Sequence, residues 1–409
     1  MIYFDNAATS FPKAPGVADA MAKFIANDAA NPGRAGHRMA VAAERMLDDV
    51  RLRLTRMFHG DDPHRMVFAM NGTDALNMAI KGVLPTKMKS GNVPHVITSV
   101  LEHNSVSRPL EAMSLDNRIT LTRVSCDDAG FIDPTDIKKA ITPDTALIVI
   151  THSSNVLGTI QDAAAVGRIA READILFCLD AAQTVGVVPV SIKDMCIDLL
   201  AFPGHKSLLG PTGTGGLYIG KRCPDPAESV AATPEGAASI RMASYIKLKP
   251  WREGGTGGDS STPTQPAIFP YYLEGGTPNT VGIAGLGAAL SYLDTHPMSD
   301  HLAHEQAMVQ RIIDTLAADD RFTVYGTHDA TKRVGTIAFN LTGYEPPDVG
   351  SILDDSFEIA VRPGLHCAPY CHKRLGTFPG GAVRISPGAF NTNDELDVLL
   401  DALKQIAGG

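Results

Sequence analysis

Apolar residues recur at three- and four-residue spacing over residues 38–58, 73–83, 134–141 and 162–173, which predicts four helices with one buried face each. Between and after them lie short apolar runs, at residues 66–70, 95–100, 119–124, 146–151, 175–179, 199–202 and 216–219. Runs of that length bounded by turn residues predict strands, and their alternation with helices predicts a layered α/β sheet covered on both faces. Residues 231–280 break the pattern: Gly, Pro, Ser and Thr dominate, as in GGTGGDSSTP and EGGTPN, and predict a long functional loop section. Beyond it come helical patterns at 281–293 and 300–318, strand candidates at 322–325 and 334–341, and a closing helix at 394–406. This is the outline of a smaller α+β unit, with no internal repeat or heptad pattern.

The 409 residues exceed the roughly 250–300 at which one core stops growing, so two unequal domains are expected. The boundaries read from the pattern are a large domain over 14–275 and a small one over 276–409, joined by the segment 1–13. A net charge of −9 argues against nucleic acid as the main partner, which needs a basic face. The start, MIYFDNAATSFPKAP, lacks a basic leader with an apolar core, and no apolar run approaches the about eighteen residues of a membrane span. A cytoplasmic protein is expected.

Six cysteines in so long a chain do not suggest a disulfide framework. Cys178 and Cys196 sit among apolar residues and read as small buried hydrophobes. Cys367 differs, lying in a loop with His366 and Arg362, groups able to favour a thiolate although sequence does not give their direction.

In LAFPGHKSLLGPTGTGG, Lys206 follows an apolar strand and precedes a glycine-rich turn. An amine shielded at a strand end titrates low and forms an imine with an aldehyde cofactor, whereas the bland alternative is a lysine snorkelling to the surface. FCLDAAQTVG puts Asp180 at the end of another apolar strand, where α/β sheets bind ligands. A buried carboxylate there needs a partner such as a protonated pyridine nitrogen; it also serves as a helix N-cap, and the two are compatible. AMNGTDALNMAI reads as strand, turn and helix start, with Gly72 and Thr73 offering amides to a phosphate and Asp74 turned away.

These segments together resemble a known family. YFDNAAT, NGTDALN, LEHNSV, SSNVLGT, LDAAQTVG, FPGHKSLLGPTGTGGLYIG, GGT, VRPGLHCAPYCHKRLGT and VRISPGAFNT are similar to the cysteine desulfurases and selenocysteine lyases of the class V aminotransferase group, in order from Tyr3 to about Asn391. The resemblance implies a pyridoxal 5'-phosphate enzyme of fold type I: a large domain on a mostly parallel seven-stranded sheet, a smaller α+β domain using both chain ends, and a homodimer with shared sites. It further implies that Lys206 carries the cofactor as a Schiff base, Asp180 pairs with the ring nitrogen and His103 stacks on the ring. Asn155 and Gln183 would address the phenolic oxygen. Gly72, Thr73 and His205 would hold the phosphate, with Thr256 arriving from the other subunit. Arg384, with Asn155 and Ala7 nearby, would bind the substrate carboxylate, and an internal salt bridge is the reading set against it. Cys367 would be the nucleophile that takes sulfur from L-cysteine as a persulfide, releasing alanine, with a sulfur-acceptor protein as a further partner. Cys371 is left as inert, a relay or a disulfide partner.

Two departures from the family pattern stand out: Gly204 where many relatives carry serine before the His-Lys pair, and Asp74 in place of glutamate. The segment from Cys367 to Arg384 also differs from the familiar subgroups. A selenocysteine lyase, an aminotransferase or C–S β-lyase, and a non-catalytic module that binds a sulfur carrier are the competing readings. Sequence does not separate the selenocysteine lyase, the Cys367 loop speaks against the aminotransferase or β-lyase, and retention of Lys206 with Asp180, His103, Cys367 and Arg384 speaks against the last.

Overall fold

A computed structural model describes residues 1–33, 36–84, 88–224, 226, 248–257 and 263–408. Its strands are β1 (Ile2–Tyr3), β2 (Met66–Ala69), β3 (His95–Ser99), β4 (Thr120–Val124), β5 (Thr145–Thr151), β6 (Leu176–Asp180), β7 (Leu199–Pro203), β8 (Gly215–Ile219), β9 (Phe322–Tyr325), β10 (Ile337–Leu341), β11 (Ile359–Ala360), β12 (Arg362–Gly364) and β13 (Ala382–Ile385).

Seven of them form one sheet in the order β2-β8-β7-β6-β5-β3-β4. From β7 through β4 the neighbours are parallel, and β8 runs antiparallel between β2 and β7. Strands β5 to β8 are buried at every position, as expected of a sheet covered on both faces. One apolar cluster, including Ile148, Phe177 and Phe202, fills one side; another, including Val149, Cys178 and Leu217, fills the other. Because β2 and β8 reverse in turn, the C-terminal ends of β2, β3, β5, β6 and β7 open onto one edge. That edge carries the site.

A second sheet, β12-β13-β10-β9, is antiparallel and rests on a third cluster with Phe4, Ile312, Phe339 and Leu403. The N-terminus joins this unit, since β1 pairs in parallel with β11 and Phe4 lies in its core. Strand β10 starts later than the apolar pattern predicts. Residues 334–336 turn instead toward the large sheet, where Val334 N–H donates to Gly158 O at 3.0 Å. Gly158 sits at φ +72°, and a Cβ there would lie 2.4 Å from Thr336 O, so the loop after β5 accepts only glycine at this crossing. Arg333, wholly buried, donates to Leu157 O, Thr327 O and Tyr325 O at 2.8, 2.7 and 2.6 Å, tying that loop to the smaller unit.

The predicted helices and strands of the large sheet are all present, with ends shifted by a residue or two. Helices Val17–Asn27, Asn104–Leu115, Pro346–Phe357 and Pro369–Leu375 were not predicted. Of the expected loop section, 231–247 and 258–262 lie outside the described residues; the described parts, 248–257 and 263–279, contain neither helix nor strand. No described helix is long and apolar enough to cross a membrane.

Candidate active site

The crevice at the strand ends is a cavity of about 190 Å³. Ala7, Gly72, Thr73, His103, Asn155, Asp180, Gln183, His205, Lys206 and Arg384 all line it, which brings together ten of the twelve residues singled out in the sequence. The other two lie elsewhere. Cys367 lines an adjoining open groove that shares Thr73, His103 and Ser105 with the cavity. Thr256 lies on a separate cavity with Arg51, Glu274 and Pro278.

Lys206 follows β7 and faces the cavity, and its Nζ has no hydrogen-bond or ion-pair partner among the described residues. Burial pulls its titration down to about 8, with Asp180 opposing the shift. Asp180 ends β6 with its carboxylate buried; its Oδ1 accepts only the Ala182 N–H, at 2.9 Å, and no helix follows. Desolvation raises its pKa, against the Ala182 N–H and the Lys206 charge. A buried carboxylate with one neutral donor is suited to a cationic N–H from a ligand.

Helix Gly72–Val83 begins at the same edge, capped by the Asn71 side chain, which accepts from Asp74 N. The Asp74 carboxylate turns back to accept Met70 N–H at 2.9 Å, as expected, and the amides of Gly72 and Thr73 have no partner among the described residues. Together with the Thr73 hydroxyl and His205 they form a cradle for an anionic group. His205 Nδ1 meets Thr9 Oγ1 at 3.1 Å, and burial holds its ring neutral, down to about 4. At Gly204 a Cβ would fall 2.2 Å from Thr214 Oγ1, so Thr214 occupies the space that a serine would need.

His103 caps helix Asn104–Leu115, its Nδ1 accepting Ser105 N–H at 3.1 Å, so the Nε2 edge is left for the cavity. Burial and then the nearby Lys206, Arg362 and Arg384 charges push it down to about 3, making it a neutral ring. Asn155 Nδ2 donates to His366 O at 2.6 Å, and Gln183 Nε2 donates to Ala7 O at 3.1 Å. Each amide keeps a further N–H and an oxygen for a ligand.

Arg384, in β13, makes the internal salt bridge set against the substrate reading: Nη2 meets Asp5 Oδ1 at 2.5 Å, and Nη1 donates to Asn155 O at 3.0 Å. Its buried Nε remains without a hydrogen bond, so the guanidinium still has donors to offer a carboxylate.

The Cys367 loop also differs from expectation. His366 does not face the thiol: its ring bonds Arg362 O at 2.9 Å and His372 at 3.2 Å, and burial drives it down to about 3, so it carries no charge to stabilise a thiolate. The cation beside the sulfur is Arg362, with Nη2 3.9 Å from Sγ. Cys367 itself is half-exposed, at φ +57°, with its carbonyl fixed by Asn104 N–H at 2.7 Å. Cys371 is buried and pushed up to about 12, which makes it an inert thiol, and Cys196 is half-exposed rather than buried. Sequence reading missed Asp5, Ser105, whose Oγ lies 2.6 Å from Thr73 Oγ1, and Glu102.

The profile of the aminotransferase class-V family matches residues 2–399, and the chain belongs to that family. It is 31% identical over 411 residues to a probable cysteine desulfurase of Methanothermobacter thermautotrophicus, covering 100% of this chain and 95% of the relative. It is 30% identical to the cysteine desulfurase of Pectobacterium atrosepticum, covering 99% and 93%. Among solved structures, the apo cysteine desulfurase of Thermococcus onnurineus superposes with a TM-score of 0.87 at 30% identity, covering 100% of this chain and 95% of that one.

Proposed function

We propose that the chain is a pyridoxal 5'-phosphate-dependent cysteine desulfurase that converts L-cysteine to L-alanine and keeps the sulfur as a persulfide on Cys367. The observation that carries this reading is the juxtaposition of a cavity holding Lys206, Asp180 and Arg384 with a groove holding Cys367, its sulfur 3.9 Å from Arg362. An aminotransferase has use for the first three but not for a nucleophile beside them.

The residues present fit the cofactor: an unpartnered amine, a buried carboxylate short of a cationic donor, and free amides at a helix start. Lys206 is the attachment point, Asp180 the partner of the ring nitrogen, and neutral His103 the aromatic platform. Gly72, Thr73 and His205 take the phosphate. Asn155 and Gln183 take the phenolic oxygen. Bound there, the cofactor supplies an electron sink that renders the substrate α-proton acidic. Arg384 and Asn155, beside Ala7, orient the substrate carboxylate. Lys206, its titration pulled down to about 8 by burial, removes the α-proton and later returns it. The Cys367 thiolate bonds to the substrate sulfur as the C–S bond breaks; the electron pair stays with the carbon skeleton, which is protonated and leaves as alanine.

Thr256 lies away from the cavity of its own chain, which suits a homodimer in which it serves the partner's phosphate site. Six free cysteines suit the reducing cytoplasm, and the open groove gives a sulfur-acceptor protein access to Cys367. The test is Cys367→Ala assayed for alanine, sulfide and pyruvate with L-cysteine and L-selenocysteine. Cofactor binding should persist, desulfuration should fall by orders of magnitude, and selenocysteine turnover should fall much less. Turnover of cysteine by the variant at the wild-type rate, with no added sulfur on the Cys367 peptide of the wild type after cysteine, would assign a β-lyase or aminotransferase instead. Light scattering of the active, cofactor-saturated enzyme should give a dimer; an active monomer would remove Thr256 from the site.

A further inference from the structure

Glu102 lies in the turn between β3 and His103, wholly buried, one strand away from Asp180. Its Oε1 accepts two hydrogen bonds, from Ser99 Oγ at 2.6 Å and from Thr151 N–H at 3.1 Å, and Thr151 is the register partner of Asp180. Its Oε2 is buried with no partner. The charged groups facing it are Asp180 from β6 and Arg123 from β4, with the buried Cys178 thiol also close. Arg123 is directed elsewhere: its Nη2 lies 2.7 Å from Glu111 Oε1 and its guanidinium 4.2 Å over the Tyr370 ring, and although its buried Nε has no hydrogen-bond partner it makes no ion pair with Glu102. An ionised Glu102 would therefore be a desolvated anion next to a second carboxylate, with no cation of its own. A protonated Glu102 leaves only one hydroxyl short of an acceptor, a much smaller cost.

We infer that Glu102 is a positioning residue acting as an uncharged acid, fixing the ends of β3 and β5 beneath the cavity while leaving Asp180 the anion that meets the cofactor's ring nitrogen. The inference rests on the reading of the cavity as a pyridoxal phosphate site. Burial, offset in part by the Ser99 hydroxyl and reinforced by the Asp180 charge, pushes Glu102 up to about 8, in keeping with the geometry. In this arrangement one negative charge lies under the ring at neutral pH, and a second appears only as the pH rises through that value.

Glu102→Gln copies the protonated acid and keeps an oxygen for Ser99 and Thr151. Two measurements on the full chain decide. The first is the denaturant-induced unfolding of cofactor-free wild type and variant from pH 5 to 8. An acid that stays protonated only in the folded state makes the ratio of the two unfolding constants change by about tenfold per pH unit across this window, the wild type weakening as pH rises. The second is the dissociation constant of pyridoxal phosphate for both proteins, read by visible absorbance. The ratio should lie within about twofold of one below pH 7 and should shift toward tighter wild-type binding above pH 8, which a merely structural residue would not produce. If the unfolding ratio is independent of pH, or if the variant binds the cofactor more than about tenfold weaker at pH 6.5, Glu102 is ionised and the inference is overturned. Should the variant not fold, the infrared carbonyl stretch of a buried protonated carboxyl at pH 7 in a Glu305→Gln protein, which lacks the other buried glutamate pushed up to about 8, supports the proposal, and its absence overturns it. Failure of the underlying reading is separate: the wild type itself would then show no visible band with pyridoxal phosphate, while the unfolding ratio would still report the protonation of Glu102.

Discussion

Asp5 and Arg384, 379 positions apart in the chain, form an ion pair of 2.5 Å that holds an arginine lining the cavity. The pair is lopsided. The Arg384 side chain is 1% exposed and that of Asp5 is 20% exposed, so loss of the carboxylate strands a buried cation, whereas loss of the guanidinium returns Asp5 to water. Asp5→Asn should therefore lower the unfolding free energy by about 3 kcal/mol, the low end of the range for breaking a buried pair, and Arg384→Met by clearly less. Urea denaturation of the cofactor-free protein measures both, and equal losses would show that the pair is not lopsided in energy. A guanidinium anchored in this way is also preset for a carboxylate at its remaining donors.

Arg362 is the cation at the Cys367 sulfur, and Cys371 is a buried, protonated thiol four residues on. Iodoacetamide at pH 7 should label Cys367 and leave Cys371 unmodified in the folded protein. Arg362→Gln should slow labelling of Cys367, since the cation 3.9 Å from its sulfur is gone. Peptide mass spectrometry follows both sites. Unchanged labelling in the variant would mean that the 3.9 Å approach contributes nothing to the sulfur's reactivity.

Lys206 gives a pH signature of its own. Its folded titration, about 8, lies below the ordinary 10.5 of an exposed amine. Between those values the unfolded chain holds a proton that the folded protein has released, so stability rises with pH there. Removing the group should abolish that rise: the cofactor-free Lys206→Met protein should show a flatter stability profile from pH 8 to 10 than the wild type. With pyridoxal phosphate and borohydride, the wild type should carry the reduced adduct on the Lys206 peptide and the variant should carry none. An adduct on Lys13, itself pulled down to about 8 by burial, would move the attachment point.

The large sheet was legible because its strands are continuous apolar runs punctuated by helices, a pattern set by burial on both faces. Helix Asn104–Leu115 escaped because Pro109 interrupts it, and Val17–Asn27 because it buries only Val17 and Phe24. Strands β1, β11 and β12 are two or three residues long, too short for any periodicity. At the site, residue types and strand-end positions placed Lys206 and Asp180 in one crevice. Side-chain direction was not readable: His366 neighbours Cys367 in the chain yet turns its ring to His372, while Asp5 reaches Arg384 only through the fold. Glu102 was invisible because burial of the carboxyl next to His103 in the chain is a tertiary fact.

The same side-chain directions set how the protein should respond to acid. His103, His152, His205, His366 and His372 are all held neutral, mainly by burial, with titrations at about 3 or about 4. In the unfolded chain each would take up a proton near 6.5. Between roughly pH 6.5 and 4 the unfolded state therefore binds more protons at these five positions, and folding stability falls as pH falls. Glu102 and Glu305, buried and pushed up to about 8, work in the opposite direction, because they stay protonated in the folded state while the unfolded chain ionises. Five histidines outweigh two glutamates, so the net expectation for the cofactor-free protein is loss of stability on acidification below about pH 6. His372 makes a clean probe, since its ring links His366 to Thr377 Oγ1 and touches neither cavity nor groove. His372→Gln should lower stability at pH 7 by about 1–3 kcal/mol, for the partners left unpaired, yet flatten the acid slope by about one proton, or ~1.4 kcal/mol per pH unit near pH 5. Denaturant titrations at pH 5, 6 and 7 separate the two effects. A variant whose stability runs parallel to that of the wild type over this range would show that His372 is charged in the folded protein, and that the His366–His372 bond does not hold the Cys367 loop as a neutral pair.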